Sequence, residues 1–242
     1  MKPQNIMKKI IILCISIFAF SNLVLGSDWP MWGRDGSRNM ISDEKKITFE
    51  FNPGEMNDEE IVDLKTTKNI KWVAKLGSQA YGNVTVGNGC VFIGTNNESP
   101  RDPGKKGDRG VVMCLDEKTG ALKWQLVIPK LGAGKVSDWE YIGICSSTAI
   151  DGERVYVVTN RCEVVCLDIN GFSNGNDGPF KDEAAYIKPK GMNDSLNKSL
   201  DADIIWMYDM RDELGVFPHN VTSSSPVIVG DKVYVATSNG VD

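Results

Sequence analysis

Histidine is nearly absent from this chain. His219 is the single one in 242 residues, which excludes multi-histidine metal sites and leaves little material for a Ser-His-Asp arrangement. No two cysteines are adjacent and none stand in a Cys-x-x-Cys pattern, so the common zinc and redox motifs are missing. Lys and Arg never run longer than two, and the net charge is −5. No nucleic-acid partner is expected from such a balance. Amphipathic helical patterns are scarce; the best is Asp58 to Lys65, with Ile61 and Leu64 on one side. Gly (24) and Pro (10) stand near ordinary levels, which excludes collagen-like and low-complexity chains. With 41% hydrophobic and 24% charged residues, the composition is that of a globular protein.

The one long apolar run lies at the N-terminus. Lys2, Lys8 and Lys9 precede an apolar and small-residue stretch from Ile10 to Phe20. Val24 and Gly26 suit the −3 and −1 sites of a signal peptidase, so residues 1–26 read as a signal peptide cut before Ser27. The run is too short for a membrane span of about 20 residues, and Cys14, inside it, follows Leu13 and not the small residue that a lipoprotein signal needs. The expected product is periplasmic or extracellular, with no stable membrane span after cleavage. Cleavage removes three lysines and no acid, moving the charge from −5 to −8.

Five cysteines then remain: Cys90, Cys114, Cys145, Cys162 and Cys166. Their neighbours are mostly apolar, so they read as small core residues. Cys162 and Cys166, four apart, fall on one face if both lie on a strand, about 13 Å apart and too far to bridge.

After residue 70 the signals are those of strands. Val84–Thr95, Thr148–Thr159 and Pro226–Thr237 share one pattern: β-rich arms around Asn88-Gly89, Gly152-Glu153 or Gly230-Asp231, with Val91, Val155 and Val233 aligned. Each reads as a hairpin. A further strand follows two of them, ending in Cys114-Leu115-Asp116 and Cys166-Leu167-Asp168. A tryptophan strand then closes each unit, at Trp72, Trp124 and Trp206. The spacings are 52 and 82 residues, the longer one carrying an insertion over 171–202. Units of this period with one aromatic signature each predict a β-propeller of four-stranded blades, about three to three and a half of them. Residues 27–69 form a lead-in, and 70–242 the repeats. A closed ring needs over 300 residues, so an incomplete ring, the N-terminal part of a longer protein, is expected.

The segment Cys114-Leu115-Asp116-Glu117-Lys118-Thr119-Gly120-Ala121-Leu122-Lys123-Trp124 resembles the tryptophan-docking repeat of pyrroloquinoline quinone (PQQ)-type propellers, with Cys114 in place of the usual alanine. Asp116 can cap the turn through its carboxylate, and Thr119-Gly120 reverses the chain. Trp124 then falls on the last strand. Asp168 begins the same motif before the insertion precedes Trp206. Trp72 follows a turn that lacks the Asp and the Gly. The lead-in Asp28–Arg38 is also similar to the opening of such proteins.

Two functional branches follow from the resemblance. Quinoprotein dehydrogenases bind PQQ with calcium and oxidise alcohols or sugars. Propellers of the same repeat, an outer-membrane assembly factor among them, bind protein partners without catalysis. The chain has no Cys-Cys dipeptide, which many quinoprotein alcohol dehydrogenases place against the cofactor. No catalytic residue, calcium ligand or cofactor-binding residue of the family can be matched to a position here. The expectation is therefore a scaffold that binds a protein partner or a small molecule. Other candidates are weaker. His219 reads as a polar loop residue, and Asp138-Trp139-Glu140-Tyr141 as inter-blade packing rather than a sugar site. Asp58-Glu59-Glu60 and Asp212-Glu213 read as solvated surface. Asn83-Val84-Thr85 matters only in a glycosylating host. Asn170–Pro179 is rich in oxygen ligands, but Phe172 and Ser173 occupy the places where an EF-hand counted from Asp168 needs a ligand and a glycine. It reads as a solvated loop, the stretch 188–198 as mobile, 171–202 as a surface for partners, and no metal ligand is assigned.

Overall fold

A computed structural model describes residues 27–45 and 47–237; the segment 1–26, where the signal peptide is expected, and the end 238–242 lie outside the described residues. Ser27 and 42–45 form a small unit of their own, in which the Ser27 N–H donates to Glu44 at 2.8 Å. The fold described below is that of 28–41 and 47–237.

The chain is mostly β. β1 (Glu55–Met56) and β2 (Val62–Asp63) make a two-residue pairing. β3 (Thr85–Gly87), β4 (Cys90–Asn96), β5 (Arg109–Asp116) and β6 (Leu122–Pro129) form one antiparallel sheet in sequence order. β7 (Ala149–Asp151), β8 (Arg154–Val158), β9 (Glu163–Asp168) and β10 (Ile204–Asp209) form the second. β11 (Val227–Val229) and β12 (Lys232–Tyr234) repeat the opening hairpin. These are two complete propeller blades and the first hairpin of another. The three hairpins share one register, pairing Val86 with Val91, Ile150 with Val155 and Ile228 with Val233.

Alternation along each strand sorts the core. Phe92, Val112, Cys114, Trp124, Leu126 and Ile128 of blade one face Val155, Val157, Val165, Leu167 and Ile204 of blade two. The odd-numbered neighbours Val91, Ile93, Val111, Met113 and Leu115 face the other way, onto Trp72, Ala74 and Leu76. A strand presents alternate residues to opposite faces, and both faces here are covered, hence the nearly unbroken apolar runs.

A bulge precedes the tryptophan in both blades. Cys114 pairs with Trp124 and Leu115 with Leu122, skipping Lys123. Leu167 pairs with Ile204 and Cys166 with Trp206, skipping Ile205. Such an extra residue re-aims the side chain that follows it. An aromatic residue packs nearby each time, Phe92 at 5.8 Å from Trp124 and Tyr156 at 6.0 Å from Trp206.

Three local expectations fail. Trp72 lies on an extended segment outside any strand, although its ring packs on blade one. Asp58–Lys65 forms no α-helix; only its end enters a single 3₁₀ turn, Leu64–Thr66. The Asn57 carboxamide oxygen accepts from the N–H groups of Glu59 and Ile61 at 3.0 and 2.9 Å, so a turn forms instead and leads into β2. Cys162 sits in the β8–β9 turn at φ +62°, not on a strand. All five described cysteines are buried free thiols.

The insertion between β9 and β10 is folded onto the blades. Glu183 and Ile187 are buried. Phe180 and Tyr186 pack edge to face at 5.9 Å against the inter-blade core. Lys105, 1% exposed, reaches Asp102 and both oxygens of Asp201 at 2.8 Å. Arg109 pairs with Asp194. The end of the insertion bonds to the outer strand of blade one, Gln125 N–H to Leu200 O and Ala202 N–H to Gln125 O, both 2.8 Å. That contact covers an otherwise open sheet edge.

Candidate functional site

Two repeating contacts join the blades. The first is made by tryptophan. Trp72 donates its indole N–H to Glu117 O at 2.9 Å, and Trp124 donates to Ile169 O at 2.8 Å. Each acceptor directly follows the motif aspartate, Asp116 or Asp168. Each ring lies against a left-handed glycine. A Cβ on Gly120 (φ +72°) would come within 2.5 Å of Trp72 Cε3, and one on Gly171 (φ +56°) within 2.9 Å of Trp124 Cδ1. The turn is held by Asp116, whose carboxylate accepts from the N–H groups of Lys118 and Thr119 and from the Thr119 hydroxyl. Those hydrogen bonds, the one from the Thr119 side chain first, hold Asp116 below the ordinary carboxylate range. Trp206 occupies the equivalent place on blade two, half-buried beside Tyr156.

The second contact runs along the inner strands. Asn83 N–H donates to Ser147 Oγ at 2.8 Å, and Ser147 N–H donates to Ser225 Oγ at 3.1 Å. Asn83, Ser147 and Ser225 each stand two residues before the first strand of a unit. The lead-in crosses the same strands. Trp29 exchanges two backbone hydrogen bonds with Val86, Pro30 O accepts from Ile150 N–H at 2.7 Å, and Gly36 lies against Val229.

These segments enclose a cleft of about 860 Å³. Tyr81–Asn83, Cys145 with Ser147, and Ser223–Ser225 supply one wall from each unit, while Trp32 and Arg38 come from the lead-in. The Arg38 guanidinium stacks 4.9 Å from the centre of the Trp32 ring. Val221, Val227, Tyr234, Val235 and Ala236 make the rest largely apolar. Among the described residues the lining contains no carboxylate and no imidazole. Burial pushes the Cys145 thiol up to about 11, so it is protonated at neutral pH.

The other candidate residues lie elsewhere. His219 is exposed and outside the cleft lining. Asp138 is buried in an ion pair with Lys130 and accepts from Asn160 at 2.8 Å; burial, opposed by Lys130, raises its pKa. Trp139 and Tyr141 are exposed. The sequence pattern did not mark the serine contacts, although extending the repeat alignment one residue upstream exposes Ser147 and Ser225. Trp32 and Arg38 carried no such signal.

Residues 56–171 match the family described as Outer membrane protein assembly factor BamB. Over this segment, a little under half of the chain, the protein is similar to that PQQ-type repeat family. No curated protein matches the chain. Among solved structures, a europium-containing methanol dehydrogenase matches over 88% of the chain at 14% identity, with a TM-score of 0.48. The chain spans 27% of that protein's length. No helix among the described residues is long and apolar enough to cross a membrane.

Proposed function

We propose that the protein is an exported PQQ-repeat scaffold that binds its ligand without transforming it. The observation that carries this reading is the lining of the inner cleft. General acid–base work needs a carboxylate, imidazole or activated thiol within reach of the ligand. The cleft offers hydroxyls, aromatic rings, aliphatic side chains and one guanidinium. A quinone held with calcium is the cofactor that the family resemblance suggests. Calcium takes six to eight oxygen ligands, usually with carboxylates among them. With no carboxylate in the lining, the cleft does not fit that pair, and no redox step is derived through it.

Arg38 over Trp32 suits an apolar or aromatic ligand carrying a negative group, such as a peptide segment with an acidic end. The test uses 8-anilinonaphthalene-sulfonate, an aromatic anion, as the probe. Saturable binding is expected, weakened at least tenfold by Arg38→Ala and by Ser224→Trp, which fills the cleft. Equal affinity in both variants would reject the cleft as the binding surface. Export is tested by sequencing the N-terminus of the secreted protein, which should begin at Ser27.

A further inference from the structure

A second cluster lies away from the cleft, where the insertion leaves β9 and returns to β10. Asp168 closes β9, Asp177 lies in the insertion, and Asp203 immediately precedes β10. One carboxylate oxygen of each lies within 4.8 Å of the others. That spread is the span of two oxygens on opposite sides of an ion at about 2.4 Å, the usual calcium–oxygen distance.

The hydrogen bonds around the three acids leave specific oxygens over. Asp168 Oδ1 accepts from Asn170 N–H at 2.7 Å, and Oδ2 from Arg154 at 2.9 Å and from Asn174 at 3.4 Å. Asn174 also donates to Asp177 Oδ2 at 3.1 Å. Asp203 Oδ2 accepts from Asp177 N–H at 2.8 Å. Asp203 is 0% exposed, and its Oδ1 has no partner among the described residues. Glu183, on the helical turn Glu183–Tyr186, stands outside the triad. It is 1% exposed, and Oε2 accepts from Asn176 at 3.2 Å. Its Oε1 is also buried without a partner. Glu183 is close enough for its charge to act on Asp203.

Four carboxylates therefore share this corner, and among the described residues Arg154 is the one cation bonded to them. The Lys181 ammonium turns to the Asn176 side chain and to backbone oxygens of 176 and 177. A buried anion without a paired charge is strongly disfavoured. Two unpartnered anionic oxygens beside a triad of this span call for a hard cation.

We propose that Asp168, Asp177, Asp203 and Glu183 form a calcium site that fastens the insertion to blade two. The ion ties the start of the insertion to its end. Ile169 and Gly171, which receive Trp124, lie one and three residues after Asp168, so the ion also stiffens the seat of the inter-blade tryptophan. The ligand spacing is not that of an EF-hand. The larger ion is favoured over magnesium, which requires a tight octahedron at about 2.1 Å.

The test is calcium titration of the chelator-treated full chain, followed by calorimetry and thermal unfolding. One calcium per chain is expected, bound at least tenfold more tightly than magnesium. The midpoint should rise by roughly 5–10 °C at a calcium concentration about a hundred times Kd. Amide exchange over 170–187 should slow on calcium addition. Asp203→Asn should weaken binding at least tenfold. If that variant does not fold, Asp177→Asn, at a half-buried place, and Glu183→Gln should each weaken it measurably. Absence of saturable heat and of any midpoint shift in the folded wild-type protein would overturn the proposal. So would unchanged affinity in all the variants that fold. Neither readout involves the cleft or its ligand.

Discussion

Gly89 and Gly120 share a backbone conformation, φ +72° at both, but not a neighbour. A Cβ on Gly89 meets nothing within 4 Å, whereas one on Gly120 lies 2.5 Å from Trp72 Cε3 and 2.6 Å from Cδ2. Alanine at either place carries the same left-handed strain, about 1–2 kcal/mol. At Gly120 the indole must also move. Overpacking of this kind costs about 1–3 kcal/mol. Shifting the ring strains the Trp72 N–H bond to Glu117 O, worth about 0.5–1.5 kcal/mol. Gly120→Ala is therefore expected to destabilise the protein by about 2–4 kcal/mol more than Gly89→Ala. Urea unfolding of the two variants gives the difference directly, provided the slopes agree. In a Trp72→Ala background the difference should vanish, because the colliding group is gone. Equal costs within about 0.5 kcal/mol, the usual limit of additivity, would refute the tryptophan-on-glycine account of blade docking.

Other predictions follow from buried polar groups. Ser147→Ala removes the acceptor of the Asn83 N–H and should cost about 1–3 kcal/mol in urea unfolding. Lys105→Ala leaves Asp201 buried without its cation and should cost about 3–5 kcal/mol; Asp201→Asn, which removes the charge instead, should cost less. Burial raises the Asp203 pKa, reinforced by the nearby acids. Between the ordinary value of 3.8 and the raised one, the folded state holds a proton that the unfolded chain has lost. Stability from this group therefore falls as pH rises through that window. In calcium-free buffer Asp203→Asn should flatten that part of the stability–pH curve, read by thermal unfolding between pH 4 and 7; an unchanged slope would show that Asp203 is not the group involved.

The parts of the fold legible in the sequence are those set by local chemistry. Asn88-Gly89 and Gly152-Glu153 announce hairpins because few sequences turn so tightly, and the Asp116–Trp124 motif contains the whole of its own turn. Trp72 misled because the same side chain can dock from an extended segment that pairs with no strand. The insertion misled more. Its polarity reads as solvated, but Asp194 and Asp201 find Arg109 and Lys105 more than 80 residues away in sequence. Charge pairing at that range leaves no local trace. The acids at 168, 177, 183 and 203 are likewise gathered by the return of the chain to β10, with no regular spacing to reveal them. The serine contacts lie between these extremes, since the repeat holds them but the donor at Asn83 uses only its backbone.

Whether these blades bind or catalyse is tested most directly by adding PQQ and calcium to the purified protein and following dye reduction with alcohols and sugars. The cleft's lack of carboxylate, imidazole and thiolate predicts no reduction above the protein-free control and no saturable quenching of tryptophan fluorescence by the quinone. Quinone-dependent reduction that saturates in PQQ and is lost in Arg38→Ala would contradict the scaffold reading and make the cleft a catalytic site.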